Sequence, residues 1–333
     1  MLCVLQVACQ RPPVKPLTPG SSSEESSATA PAPLAEIVVN PFQDVELFNP
    51  PYTNADQARR RLARENPNQA QLIAKIADTP QAKWLGEWSG PVQTVVQNYV
   101  DAAHKKGKVA LMVAYHVPHR DCGQYSAGGA ADKRDYLQWI RSLADGIGAH
   151  RKAIVVLEPD ALPQLEECLT PDDQRRRLEM LSEAVETLES LPGVAVYLDA
   201  GHSRWVDAST MAQRLERAGL RRARGFSLNV SNYVADEELT AYGEQIVKLT
   251  GLDTHFIIDS SRNGNGPAPD DQWCNPEGRA LGRRPQVAPS AGVLDAYVWI
   301  KNPGESDGTC QGGPEAGEWF QERALELARN ASW

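Results

Sequence analysis

Apolar runs of five to seven residues alternate along this chain with longer stretches in which apolar residues return every third or fourth position. The runs Lys83–Trp88, Val109–Tyr115, Ala153–Glu158, Val194–Asp199, Gly225–Val230, His255–Asp259 and Ala296–Lys301 are nearly continuous in apolar residues. That is the pattern of parallel strands covered on both faces. Between them, Pro91–Lys106 carries Val92, Val95, Val96, Tyr99, Val100 and Ala103 on one helical stripe, and Gly107 ends it. Thr170 before Pro171 predicts a capped helix start, with Leu178, Leu181, Val185 and Leu188 at helical spacing after it. Ala131–Ile147 and Asp236–Leu249 repeat the pattern. Seven such strand–helix units predict an α/β barrel. A doubly wound open sheet is the alternative. The barrel is preferred because polar residues stand at the C-terminal ends of many strands, not at one switch point.

Those ends carry the candidate chemistry. Tyr115 leads through His116 to Arg120-Asp121-Cys122; Glu158-Pro159-Asp160 closes the next strand; Asp199 leads to His202 and Ser203. Then come Asn229 to Tyr233, Asp259 to Gly266, and Lys301 to Gly308, which includes Glu305 and Asp307. Taken singly, an acidic residue at a strand end is most often a helix cap or a solvated loop charge. Six successive ends in a barrel converge on one mouth. A mouth lined with Asp121, Asp160, Asp199, Asp259 and Asp307 drives carboxyl pKa values apart, leaving one group protonated among ionised neighbours. Glycoside hydrolysis requires such a pair of acid and carboxylate. A divalent-metal site would use the same carboxylates, but Arg120, Arg262 and Lys301 are interleaved with them and would repel a cation. Ser203 and Ser231 lack the context of a nucleophile elbow. Trp84, Trp88, Trp205, Trp273 and Trp299 fall at or just beyond strand ends; each alone reads as packing, but together their flat faces suit pyranose rings.

Composition narrows the class further. The chain has 333 residues and a net charge of −9, so no broad basic surface invites nucleic acid. No apolar run approaches the roughly 20 residues of a membrane helix. Met1–Cys9 reads as the tail of a secretion signal or as a degenerate lipoprotein site with Cys9 as acceptor. Arg11 to Glu36 is rich in Pro, Ser and Ala and reads as a disordered tether. The expected division is therefore a tether over 1–36 and one domain over 37–333. Cys122, Cys168, Cys274 and Cys310 all fall in expected loops and lack zinc-site spacing. Two disulfides are the simplest reading, with three connectivities open. Pairing neighbours, Cys122 with Cys168 and Cys274 with Cys310, closes loops of moderate length and points to an oxidising compartment.

Seven segments in order resemble glycoside hydrolase family 6, the inverting endoglucanases and cellobiohydrolases. They are VAYHVPHRDCG (113–123), VVLEPDAL (155–162), YLDAGHSRW (197–205), SLNVSNY (227–233), IIDSSRNGNGP (257–267), QWCNPEGRALG (272–282) and YVWIKNPGESDG (297–308). The resemblance covers the chain from about Asn40 onward. It implies a distorted, seven-stranded parallel β/α barrel of TIM-like form, two disulfides and no cofactor or metal. It implies Asp160 as catalytic acid, with Asp121 keeping it protonated and relaying a proton from the attacking water. Tyr115 would press on the distorted sugar, Ser231 would hold the water, and Asp307 is the candidate base. Asp199, His202, Asn229, Arg262, Lys301 and Glu305 correspond to the family's further sugar-site residues, and Trp84, Trp205 and Trp273 to its stacking platforms. His119 before Arg120, and Ser260 before Ser261-Arg262, depart from the family's pattern. The expected activity is a secreted, monomeric endo-β-1,4-glucanase. A catalytically weak glucan-binding protein and an exo-acting cellobiohydrolase are the alternatives. The short segments Cys122–Ala131 and Lys301–Cys310 predict loops that leave the groove open.

Overall fold

A computed structural model describes residues 40–289 and 292–333. The segment 1–36 and its Cys9 lie outside them. Seven parallel strands run in the sheet order of the chain: β1 (Lys83–Leu85), β2 (Ala110–Ala114), β3 (Ala153–Leu157), β4 (Val194–Asp199), β5 (Gly225–Leu228), β6 (His255–Asp259) and β8 (Leu294–Val298). An eighth strand, β7 (Gln286–Val287), pairs antiparallel with β8 at the edge. It was not expected, because two residues beside Pro285 carry no periodicity. The sheet curls into a distorted barrel. Between β1 and β8 no ladder forms among the described residues; Ala82 N–H donates to Trp299 O at 2.9 Å across the seam.

Residue parity explains why both faces of each strand are apolar. Leu111 and Val113 of β2, Ile154 and Val156 of β3, Ala195 and Tyr197 of β4, and Ala296 and Val298 of β8 pack together inside the barrel. Their alternates, among them Met112, Val155, Val196 and Ile258, pack outward against the helices. The helices α3 (Val92–Lys105), α4 (Lys133–Ile147), α5 (Pro171–Glu189) and α7 (Asp236–Thr250) match the sequence expectation closely. Thr170 Oγ1 caps α5 by accepting from Asp173 N at 3.2 Å. Four helices escaped it: α1 (Asn54–Glu65), α2 (Pro67–Ala77), α6 (Ala208–Arg217) and α8 (Gln321–Asn330). Of these, α1, α2 and α8 build a separate apolar cluster around Trp299. Trp299 is therefore core, not a mouth residue; its indole N–H donates to Arg283 O at 2.9 Å.

Strands end earlier than their apolar runs. β1 stops at Leu85 because Gly86 breaks it and Glu87–Ser89 form a 3₁₀ turn. Just beyond the strands, non-glycine residues enter the left-handed region: His119, Asp121 and Cys122 after β2, Glu158 and Asp160 after β3, Asn229 and Ser231 after β5. Such conformations cost about 1–3 kcal/mol each and persist only where surroundings enforce them. Here, buried Arg177 of α5 donates to Pro118 O (2.6 Å) and His119 O (3.1 Å). Arg214 of α6 donates to Leu162 O and Pro163 O (2.8 and 3.0 Å). Buried Glu158 accepts from the amides of His116 and Val117.

Candidate active site

A groove of about 1170 Å³ crosses the C-terminal mouth of the barrel, above the roughly 300–1,000 Å³ of a single small-molecule site. Asp160, Asp121, Asp307, Tyr115, Ser231, Lys301, Glu305, His202, Trp84, Trp205 and Trp273 all line it. Asp199, Asn229 and Arg262 do not, and neither does Asp259. These four lie just beneath the floor. The parity of the strands explains Asp199 and Asp259: each is the last inward position of its strand, after Tyr197 and Ile257, and so points into the barrel interior. Asp199, Asn229 and Arg262, expected from the sequence to meet sugar, thus lie buried beneath the groove lining, in positions that support it.

What they support is the floor itself. Asp199 Oδ2 accepts from Asp160 N at 3.0 Å and Gly201 N at 3.2 Å. Asp259 collects the amides of Ser231, Ser261, Ile300 and Lys301, at 2.9 to 3.2 Å, and so ties the ends of β5, β6 and β8 together. Asn229 Nδ2 donates to Asp259 O at 2.8 Å, and its Oδ1 accepts from Val234 N.

Two carboxyls in the groove are driven to opposite protonation states. Burial pushes the Asp160 carboxyl well above the usual range, and the nearby charges of Asp199 and Asp121 push it further. Tyr115 Oη donates to its Oδ2 at 3.0 Å. Burial alone would raise Asp307 too, but Arg262 and Lys301 outweigh it and hold the group low. Arg262 Nη1 sits 2.9 Å from both oxygens and Lys301 Nζ lies 3.1 Å from Oδ1, while Asn275 N donates to Oδ2 at 3.0 Å. Burial raises Glu305 and lowers His202 to about 4, so the imidazole is neutral at ordinary pH.

Asp121 is held by groups that sequence reading did not single out. Ser126 N donates to its Oδ2 at 2.7 Å and Gln164 Nε2 to its Oδ1 at 3.2 Å. Arg120 braces the same loop, donating to Ser126 O, Ala127 O and Tyr115 O and pairing with Glu87 at 2.6 Å. Ser126 stands in a loop and Gln164 in a 3₁₀ turn (Pro163–Glu166); only their nearness to Asp121 and Asp160 in the chain hinted at them.

Both disulfides form between sequence neighbours, Cys122 with Cys168 and Cys274 with Cys310, with Cα separations of 5.7 and 6.2 Å. Closing loops of this length stabilises by about 4 kcal/mol each in the chain-entropy account. The first links the Asp121 loop to the Glu167 loop, and Glu167 accepts from Trp205 Nε1 at 2.8 Å. The second brackets Asp307 and Asn275.

Aromatic rings flank the carboxyls on both sides. Trp84 meets Tyr115 edge-on at 5.2 Å and donates to Ile300 O. His202 and Trp205 lie 5.7 Å apart, and Tyr125 lies 6.1 Å from Trp273. The two short loops touch each other. Tyr125 rests on the Cα face of Gly308, where any Cβ would overlap its ring. Glycine is required there for that close approach. Among the described residues no three His, Cys, Asp or Glu side chains converge as a metal-holding set.

A carboxyl kept protonated in one groove with the ionised Asp307, between indole faces, is equipment for cutting an acetal by proton transfer, which places the chain among the sugar-cleaving hydrolases. Residues 42–331 match the family model for Glycosyl hydrolases family 6, and the chain belongs to that family. Endoglucanase A of Cellulomonas fimi is 47% identical over 264 residues, 79% of this chain and 57% of that protein. This chain thus spans a little over half of that relative's length. Endoglucanase 1 of Streptomyces halstedii is 44% identical over 287 residues, 83% of this chain and 87% of that one. The endoglucanase Cel6 from Mycobacterium tuberculosis, solved with methyl-cellobiosyl-4-deoxy-4-thio-β-D-cellobioside, matches with a TM-score of 0.83 at 45% identity. The match covers 87% of this chain and 99% of that one.

Proposed function

We propose that this protein is an endo-β-1,4-glucanase that hydrolyses internal glucosidic bonds of a β-1,4-glucan with inversion. The observation that carries the reading is the Asp160 carboxyl: raised by burial and by Asp199 and Asp121, it faces a groove with aromatic walls on either side. Asp160 gives its proton to the glycosidic oxygen as the bond breaks. Tyr115 fixes the carboxyl through its hydroxyl and presses on the distorted sugar. Water attacks the anomeric carbon from the opposite face, so the product leaves as the α-anomer. Asp307 stays ionised, but its lone pairs are engaged by Arg262, Lys301 and Asn275. That weakens it as a proton acceptor and leaves the relay of the water's proton to Asp121, with Ser231 on the groove wall. Trp84, Trp205 and Trp273 carry sugar rings, and His202, Lys301 and Glu305 meet their hydroxyls. Secretion fits the disulfides, and we place a lipid anchor, if the chain carries one, at Cys9.

Substituted soluble cellulose tests the mode of cutting. Its viscosity should fall much faster than reducing ends appear, since internal cuts shorten chains early. Cellobiose dominating from the first minutes with little viscosity loss would instead point to chain-end action, and binding without any hydrolysis to a glucan-binding protein.

The charge coupling gives a pH prediction. Asp160 must be protonated to act, so the alkaline limb of kcat/KM reports it. Asp121→Ala removes a like charge and lets Asp160 ionise earlier. The alkaline limb should move to lower pH. A limb that stays in place shows that Asp121 does not set the acid's proton affinity.

A further inference from the structure

Tyr52 is a groove-lining residue that no part of the chemistry above uses. Five large apolar or aromatic side chains are exposed among the described residues: Tyr52, Trp88, Tyr125, Leu249 and Trp273. All but Leu249 line the groove. Tyr52 is the most exposed, at 68%. It stands in the left-handed region with φ 67°, a conformation unfavourable for a bulky residue. Helix α1 holds it there from both sides: Tyr52 N–H donates to Asp56 Oδ2 at 3.2 Å, and Gln57 Nε2 donates to Tyr52 O at 3.0 Å. The Arg60 guanidinium lies 5.1 Å from the ring centroid, backing one face. A strained, exposed ring, fixed in backbone and backed on one side, adds little to the fold. It is arranged to offer its other face.

The position of Tyr52 says what it offers that face to. A line of contacts runs outward from the acid. Tyr115 holds Asp160 and meets Trp84, and Trp84 donates to Ile300 O beside Lys301. Farther out, Glu305 Oε2 accepts from Asn302 Nδ2 at 3.1 Å and its Oε1 from Asn54 Nδ2 at 2.8 Å. Asn54 is two residues from Tyr52. The same wall holds two buried polar atoms with no hydrogen-bond partner, Asn302 Oδ1 and Trp319 Nε1. Sugar hydroxyls supply both donors and acceptors.

We infer that Tyr52, backed by Arg60 and flanked by Asn54 and Glu305, is an outer platform of the groove, on which a glucosyl unit of the bound chain stacks beyond the ring carried by Trp84. The inference rests on the β-glucan reading of the groove. It makes this enzyme's preference depend on chain length, because only a chain long enough to reach past Trp84 gains the contact.

The test is a ladder of cello-oligosaccharides from three to six units, with kcat/KM measured for the wild type, Tyr52→Ala and Tyr52→Phe. The gain in kcat/KM from three units to six should shrink about tenfold in Tyr52→Ala, the size of one stacking contact, and persist in Tyr52→Phe, which keeps the ring. Tyr52→Gly separates platform from scaffold. Glycine accepts φ 67° without strain, so this variant should unfold at the same or a higher temperature while losing the long-chain gain. A length profile unchanged in Tyr52→Ala, or an equal loss at every length, overturns the inference. So does a clear drop in thermal stability of Tyr52→Gly. If the wild type hydrolyses none of the ladder, the glucanase reading fails by itself. Weaker calorimetric binding of cellohexaose by Tyr52→Ala would then still uphold the platform, and equal binding would end it.

Discussion

Asp160→Asn is expected to lower kcat on a soluble β-1,4-glucan by about 10³-fold, within the range set by loss of a general acid. Asparagine is the suitable replacement because it is close to isosteric with aspartate and tolerates the φ of 68° at this position better than alanine does. The backbone N–H that donates to Asp199 is unaffected by the change. A rate loss alone would not identify the role, so the leaving group must be varied. A sugar alkoxide leaves only if protonated, whereas fluoride departs from a cellobiosyl fluoride with little help. The variant should therefore lose far less on the fluoride than on the glucan. Equal losses on both substrates would mean that Asp160 positions the sugar and gives no proton to the leaving oxygen.

The second large effect concerns stability. Arg262→Met should destabilise the protein by about 3–5 kcal/mol at neutral pH, the cost of leaving a buried charge without its partner. Arg262 and Asp307 are both buried, and methionine fills similar space without charge. The pH dependence has a definite sign. In the wild type, the lowered pKa of Asp307 contributes stability that is fully present above about 3.9, the carboxyl's unfolded value, and is lost as pH falls through the lower folded one. Without Arg262, burial outweighs the remaining help from Lys301 and the folded pKa rises. The destabilisation should then be greatest at pH 7 and shrink toward pH 4, as Asp307 takes a proton. Urea unfolding at both pH values measures it. A deficit below 1 kcal/mol at pH 7, or one that does not vary with pH, would show that the pair is not held as a buried ion pair.

Much of the fold could be read from the sequence because each parallel strand is buried on two faces. Val194–Asp199 and His255–Asp259 were legible to the residue, since they are apolar up to a terminal aspartate. The helices α1, α2 and α8 were not. They pack on one another and on Trp299 outside the repeating strand–helix units, so no neighbouring strand announced them. The site was legible in its residue types and less so in its depth. Asp160 and Asp199 look alike as strand-end acids. Asp199 falls on the inward parity of a strand that is still extended, and so points into the core. Asp160 follows Glu158 and Pro159 through a left-handed turn that lifts it into the groove. Sequence alone gives no sign of that turn, which is held open by Arg177 and Arg214 from two distant helices.

Each disulfide ends beside a group of the site: Cys122 follows Asp121, Cys168 follows Glu167, Cys274 precedes Asn275, and Cys310 stands three residues past Asp307. The bonds are thus rivets on the working rim, while the barrel beneath is held by its apolar core. Reducing the two bonds should therefore slacken the rim while the barrel stays closed, and let Asp121 and Asn275 drift from their stations.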